Sequence, residues 1–318
     1  MTRPVAARSL AAPLCLLMAT TFFAFLSPTF IGLENLANVG SQMWVLALLA
    51  VGQMFAIASR GFDISVGSVA ALSSTVAALS ANAIGLPGLL AGALVGLACG
   101  TVNGLLVGSF GLQPVVATLG VLIGAKGVAL LVSGDGQVVP LVAADEAARL
   151  AFDRVAGLPV SAWLAMAPIA AAAWLLHAAA GRRILMLGSN PEAVALVGIH
   201  AARTQLLAYQ LSGLFAGLAG VLMTVRAGSG LPTEGAGMEL QSIAAAVIGG
   251  TPLTGGSAGV AGVVLGAAFI QVLLTGLNLM GVSPFVAQSA IGLVIIGSGL
   301  LAFLLKSASS PRTKGTSA

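Results

Sequence analysis

The sequence predicts an all-α polytopic membrane protein of about ten transmembrane helices, organised as a five-plus-five inverted repeat. Three observations carry this reading. First, 58% of the 318 residues are hydrophobic and only 7% are charged, against about 25% charged in soluble domains. Second, apolar runs long enough to cross a bilayer, about 18 residues or more, follow one another along the chain. Such runs must be helical, because in hydrocarbon each backbone amide has to bond within its own segment. Third, there are 42 glycines while aromatics make up only 5%, a composition for helix backbones in close contact rather than for aromatic walls. The whole chain, 1–318, reads as one membrane domain with about 10–305 embedded.

Taken in order, Arg3 and Arg8 precede a run from about Leu10 to Leu26. It is longer than a usual signal core and lacks a convincing cleavage site, so it reads as a retained first span. A second run, about Gly40 to Ser59, ends at Arg60-Gly-Phe-Asp63-Ile-Ser65-Val-Gly67-Ser68, and apolar sequence continues to about Ile84. A carboxylate so close to hydrocarbon has to sit at a boundary, pair or face a cavity. Arg60, one helical turn away, is the expected partner of Asp63, and Ser65 with the flanking glycines permits a broken helix. Pro87 and Gly88 interrupt the chain before a fourth span to about Val107, which carries Asn103. Pro114 and Thr118 open the fifth, in which Lys126 is expected to pair internally.

The stretch 134–159 is the longest polar segment and reads as an outer loop. Its Ala144 to Val155 portion, with Leu150, Phe152 and Val155 among charges, suggests a short surface helix. After a sixth span, the segment 181–204 gathers Arg182, Arg183 and Arg203, the kind of cationic loop that bilayers hold on the cytoplasmic side. Within it Asn190 caps and Pro191 opens a helix of about two turns, Glu192 stands in the first turn, Ala193 follows, and Gly198 ends it. A helix this short is unstable alone in water and needs something to pack on.

A seventh span covers about Gln205 to Val225. The run from Pro232 through Glu234, Glu239 and Gln241 to Gly249-Gly250-Thr251 and Gly255-Gly256 has glycine pairs too dense for a plain straight helix. Two last spans, about Val260 to Leu279 and Phe285 to Leu305, precede a tail, 306–318, with Lys306, Arg312 and Lys314. Of the 13 cations nine fall on one side, three on the other and Lys126 within a span, which places both termini in the cytoplasm. Asn103-Gly-Leu-Leu to Pro114 and Thr275-Gly-Leu-Asn278 to Pro284 echo each other and would enter from opposite sides, the basis of the inverted repeat.

Several chemistries are excluded. Cys15 and Cys99 lie in apolar runs as inert thiols, His177 and His200 are isolated, and no His, Cys and carboxylate cluster suggests a metal. The net charge of +4 belongs to membrane boundaries rather than to nucleic-acid binding. With no Gly-Lys dipeptide the chain lacks the phosphate-cradling loop of an ATPase, so no catalytic residues are assigned.

The segment Gly188-Ser-Asn-Pro-Glu-Ala-Val-Ala-Leu-Val-Gly198 resembles the cytoplasmic coupling loop of ATP-binding-cassette (ABC) importer permeases. The elements Gly61-Phe-Asp-Ile-Ser-Val-Gly-Ser68, Asn103-Gly-Leu, Pro114 to Gly120 and Glu239-Leu to Gly256 are similar to those of the ribose-type sugar permeases, with Ile64 in place of Leu and Gln241 where an acid is common. The resemblance spans roughly residues 35–305. It implies a bacterial inner-membrane permease subunit for a monosaccharide or related small polar solute. This chain then binds no cofactor: a cytoplasmic ABC ATPase subunit hydrolyses ATP and docks at Gly188, Asn190, Glu192, Ala193 and Gly198. A periplasmic substrate-binding protein delivers the solute, and a second copy completes the path. Asp63, Ser65, Asn103, Thr118 and Asn278 are the candidates for that path. The rival reading, an ion-coupled secondary transporter, needs buried ionisable residues, and the spans offer few beyond Asp63 and Lys126.

Overall fold

The computed structural model describes residues 11–283, 285–294 and 296–297. Arg3, Arg8, Lys306, Arg312, Lys314 and the 306–318 tail lie outside the described residues. The helices are α1 (Ala11–Leu26), α2 (Leu33–Ala58), α3 (Val66–Ile84), α4 (Leu90–Gly108), α5 (Pro114–Val132), α6 (Ala144–Phe152), α7 (Val160–His177), α8 (Ala179–Ser189), α9 (Pro191–Leu196), α10 (Ala201–Ala227), α11 (Met238–Ile248), α12 (Val260–Leu279) and α13 (Phe285–Val294). Among the described residues seven helices are long and apolar enough to cross a membrane, α4 extended by a 3-10 turn at Leu86–Leu89, while α1, α11 and α13 are shorter apolar helices. An all-α polytopic membrane protein is therefore what the sequence encodes.

α2 is the centre of the bundle. From Val45 to Ala58 every residue is buried, as expected of a helix that is apolar on all sides. The longest helix, α10, packs along α4 and against α3 and α2. That closeness is written into α4 as a glycine at every fourth position, Gly92, Gly96, Gly100, Gly104 and Gly108, which places all five on one stripe. A Cβ on Gly96 would overlap the carbonyl oxygen of Gly213, and one on Gly100 that of Tyr209.

The bundle has two distinct ends. At one, β1 (Val139–Pro140) pairs antiparallel with β4 (Ser229–Gly230), Val139 opposite Gly230, and Asn82 near the end of α3 bonds both Pro140 O and Val142 N. β2 (Arg154–Val155) and β3 (Leu158–Pro159) form a small hairpin in the same long polar segment. At the other end lie α8 and α9, which together make an arm beside the bundle. Between β4 and α11 the chain is not helical: Leu231 N–H donates to Ser74 Oγ (3.1 Å), and Gly235 lies backbone to backbone against Gly67. The glycine-dense segment is thus a run of turns followed by a short helix, with irregular backbone again from Gly249 to Gly259. Gly235 (φ +98°) and Gly237 (φ +85°) supply the left-handed turns that the break requires.

Several expectations are corrected. Besides the short helix expected from Asn190, the 181–204 segment holds a second helix, α8, in its first half: Gly181, Ile184, Leu187 and Gly188 fall on one buried face at helical spacing while Arg182 and Arg183 face out. The surface helix α6 exists, but Ala147 and Ala151 are its buried positions, and Phe152 and Val155 are exposed. Lys126 stands exposed on α5 rather than paired inside the bundle. Cys15 and Cys99 are free and half-buried.

The glycine stripe gives a direct test. Gly96→Leu forces α4 off α10 and is expected to cost about 1–3 kcal/mol or more by overpacking, while Gly120→Leu, on α5 with open space where its Cβ would stand, should be tolerated. Melting temperatures of the two purified variants decide it; equal values would contradict the close α4–α10 approach.

Candidate functional site

The site is built where α2 ends beside the arm. The helix stops at Ala58, and Arg60 then adopts a left-handed conformation (φ +66°) that only a few per cent of non-glycine residues take. This turn sends the guanidinium across to α8: Arg60 Nε donates to Gly188 O (2.6 Å) and Nη2 to Ser189 O (3.0 Å). Those are the last carbonyls of α8, which lack partners within the helix and carry the negative end of its dipole. Arg60 therefore caps α8 from another element. The junction is closed by a third segment: Gly256 N–H donates to Ala58 O (3.0 Å), and Ser189 Oγ donates to Gly256 O (3.2 Å). A Cβ on Gly188 would overlap the Ala58 carbonyl and stand 2.5 Å from Gly256 N. Only glycine fits there.

The arm itself matches its sequence reading in geometry. Asn190 Oδ1 accepts the amides of Glu192 and Ala193 (both 3.1 Å), the cap that starts α9, and Gly198 (φ +73°) ends it. Glu192 and Ala193 are exposed, whereas Val194 is buried, so α9 takes part of its support from its own chain. The packing partner that so short a helix needs is thus supplied in part by its own chain, through Val194.

Three residues on from Arg60, the chain turns into the bundle and buries Asp63. Asp63 is not paired with Arg60. Its Oδ1 accepts from Ser65 N–H (3.0 Å), from Ser65 Oγ and, at 3.4 Å, from Asn103 Nδ2; its Oδ2 accepts from Ser212 Oγ (2.8 Å). Asn103 Nδ2 also donates to Ser65 Oγ (2.9 Å). With its nitrogen toward the Asp63 carbonyl, the Gln53 amide donates to that carbonyl (2.8 Å) and accepts the Asp63 N–H (3.3 Å). Taking a carboxylate out of water is costly, and the donors from Ser65, Ser212 and Asn103 offset that cost in place of a cation. The pairing expected from the one-turn spacing fails because residues 59–65 are not helical: the left-handed turn at Arg60 separates the two side chains.

Asp63, Ser65 and Asn103, proposed separately from the sequence, thus meet in one sealed knot. Thr118 lies beside it, bonding Pro114 O (2.9 Å) and reaching Phe62 O (3.5 Å). Asn278 does not belong to the group and is exposed at the far end of α12. Ser212 and Gln53 were missed. Gln53 is a lone polar residue in an apolar run, and Ser212 sits two residues after Gln210; neither carries an address without the packing. The same holds for Tyr209, whose hydroxyl donates to Phe62 O (3.2 Å), and for Gln205, which donates to Ser59 Oγ (3.2 Å) and latches the junction to α10.

The model of one protein family matches residues 35–304, and its description is the permease component of the branched-chain amino acid transport system. The chain belongs to that family. This permease is 36% identical over 291 residues to the ribose import permease protein of Escherichia coli, covering 89% of this chain and 90% of that one. It is 34% identical over 284 residues to the ribose import permease protein of Bacillus subtilis, 87% of each chain. With the D-allose transport system permease protein of Escherichia coli it shares 34% over 289 residues, 89% and 88% of the two chains. No solved structure matches the permease.

Removing the hydroxyl of Ser212 leaves Oδ2 of a buried carboxylate without its donor. Ser212→Ala is expected to cost about 1–3 kcal/mol, read as a lower melting temperature, and Arg60→Ala added to Asp63→Ala should recover no folded yield. A double variant restored to the parent level would mean that the two residues form an ion pair after all.

Proposed function

We propose that the permease, with a second copy of itself, forms the path by which a monosaccharide or related small polar solute crosses the bacterial inner membrane. Similarity to the ribose and allose permeases over about nine-tenths of their length supports the sugar. A separate ATPase supplies the energy and a periplasmic binding protein the solute. The observation that carries the coupling role is the Arg60 junction. An ATPase seated on α8 and α9 would grip an arm that Arg60 fastens to the turn leading into the Asp63 knot, and Gly256 fastens to the loop after α11. Movement of the arm then reaches both irregular stretches of the bundle, without any flexible linker between.

Ten crossings follow when α1, α13 and the combined 229–248 segment are counted with the seven long helices. On that count α8 and α9 face the cytoplasm with both termini, and the β1–β4 end faces outward. The α4–α5 link near Ala202 and the α12–α13 link lie at opposite ends, which supports the five-plus-five repeat.

Two measurements test this. Glu192→Lys opposes the α9 dipole by about 0.3–1 kcal/mol and should weaken ATPase capture in detergent. Arg60→Ala should leave capture intact but lower sugar uptake per ATP hydrolysed, with partial rescue by Arg60→Lys; unchanged capture in the first and unchanged coupling in the second would remove α8–α9 as the docking arm. For orientation, single cysteines at Gln137 and Ala193, in a background lacking Cys15 and Cys99, should label oppositely with an impermeant maleimide. Labelling of Ala193→Cys but not Gln137→Cys in intact cells would invert the topology.

A further inference from the structure

The break between β4 and α11 has a depth that can be read from its neighbours. α10 runs the full height of the bundle over 27 residues, so its middle lies about 20 Å from either end at 1.5 Å per residue. On α3 and the turn before it, Asp63 bonds Ser212, two residues from the middle of α10, and Ala70 is touched by Gly220. Gly67 falls between them, and Gly235 lies directly against Gly67. Glu239 is at the same level: its Oε2 stands 2.6 Å from where a Cβ on Gly67 would be, while its Oε1 accepts the Gly237 N–H (3.2 Å).

At this mid-depth one side of the bundle is polar and open. Thr233 and Glu234 are exposed, Glu239 is half-buried, and Gln288 of α13 is exposed with its amide nitrogen 2.8 Å from the Cβ position of Gly237. Two carboxylates and an amide cannot face hydrocarbon at that height; such groups face protein or a water-filled cavity. Non-helical backbone at membrane depth is likewise tolerated only where protein or water covers it. The Asp63 knot, by contrast, is sealed and its carboxylate is fully occupied by donors. Glu239 keeps Oε2 without an N–H or O–H donor among the described residues. A half-buried carboxylate with an acceptor oxygen to spare suits the hydroxyl groups of a polyol, which donate to it.

We propose that Thr233, Glu234, Glu239 and Gln288 form a wall of the aqueous solute path at the middle of the membrane, with Glu239 accepting hydrogen bonds from solute hydroxyls. This rests on the transport reading above, and two independent readouts separate their fates. The first needs no transport. In nanodiscs, with Cys15 and Cys99 removed, Thr233→Cys and Gln288→Cys should react with a charged methanethiosulfonate, while Met18→Cys, exposed at the middle of α1, should not. If both wall positions stay as unreactive as Met18→Cys while Ala193→Cys on the arm reacts, the wall is not wet and the inference is overturned. The second is uptake of D-ribose and D-allose by complexes with the ATPase and binding protein. Glu239→Gln, which keeps size and one acceptor, should lower uptake about tenfold or more, the value of one hydrogen bond to a charged group, with ATPase capture and melting temperature unchanged. Uptake within twofold of the parent would remove Glu239 from recognition. Reactive wall cysteines in a protein that imports neither sugar would count against the transported class and leave the wall standing.

Discussion

A helix that breaks inside a membrane leaves amides and carbonyls that only the protein itself can satisfy, and the permease is organised around closing such breaks. Three lie close together: residues 59–65 after α2, 231–237 before α11 and 249–259 after it. At each, backbone approaches backbone closely, Gly188 against Ala58, Gly235 against Gly67 and Gly249 against Gly262 and Val263. A single Cβ at any of these contacts would force the packed elements apart. The glycine content is therefore a requirement of the breaks as much as of helix packing.

Magnitudes decide which interaction governs which part. The cap that Arg60 gives α8 is of the order expected for a cation at a helix end, about 0.3–1 kcal/mol at exposed sites and up to about 2 when partly buried. That is enough to fix an arm but not to hold the bundle together. Burying the Asp63 carboxylate weighs more, several kcal/mol if left uncompensated. It is offset by hydrogen bonds to a charged group at about 1.5–3 kcal/mol each, from Ser65, Ser212 and Asn103. The carboxylate thus draws α3, α4 and α10 onto one point, and the arm is attached three residues away. In the proposed coupling, a rigid knot would pass a small displacement of α8 and α9 inward rather than absorb it.

The class and the capped helix α9 were legible in the sequence because both depend on local rules. Apolar runs specify spans, and Asn190 with Pro191 specifies a cap whatever surrounds it. The features that stayed hidden are those set by packing. Asp63 has a cation three residues away, and only the left-handed turn at Arg60 shows that the two side chains diverge. α8 was hidden because Arg182 and Arg183 read as a loop, although Ile184 and Leu187 beside them already had helical spacing. The glycine at every fourth position of α4 stood in plain view, but its partner, α10, begins almost a hundred residues later. Glu239 was placed in a glycine-broken stretch, yet its depth follows only from the contacts of Gly67, Ala70 and Ser212 across three elements.

In the mechanism proposed for this permease, ATP hydrolysis by a separate subunit, passed through the α8–α9 arm, drives transport. This mechanism is tested most directly by sealed proteoliposomes containing the permease with and without the ATPase, supplied with the binding protein and labelled ribose. Uptake should require the ATPase and ATP together, and a protonophore that abolishes the ion gradient should leave it unchanged. Uptake that proceeds without the ATPase, or that collapses with the gradient, would contradict the account.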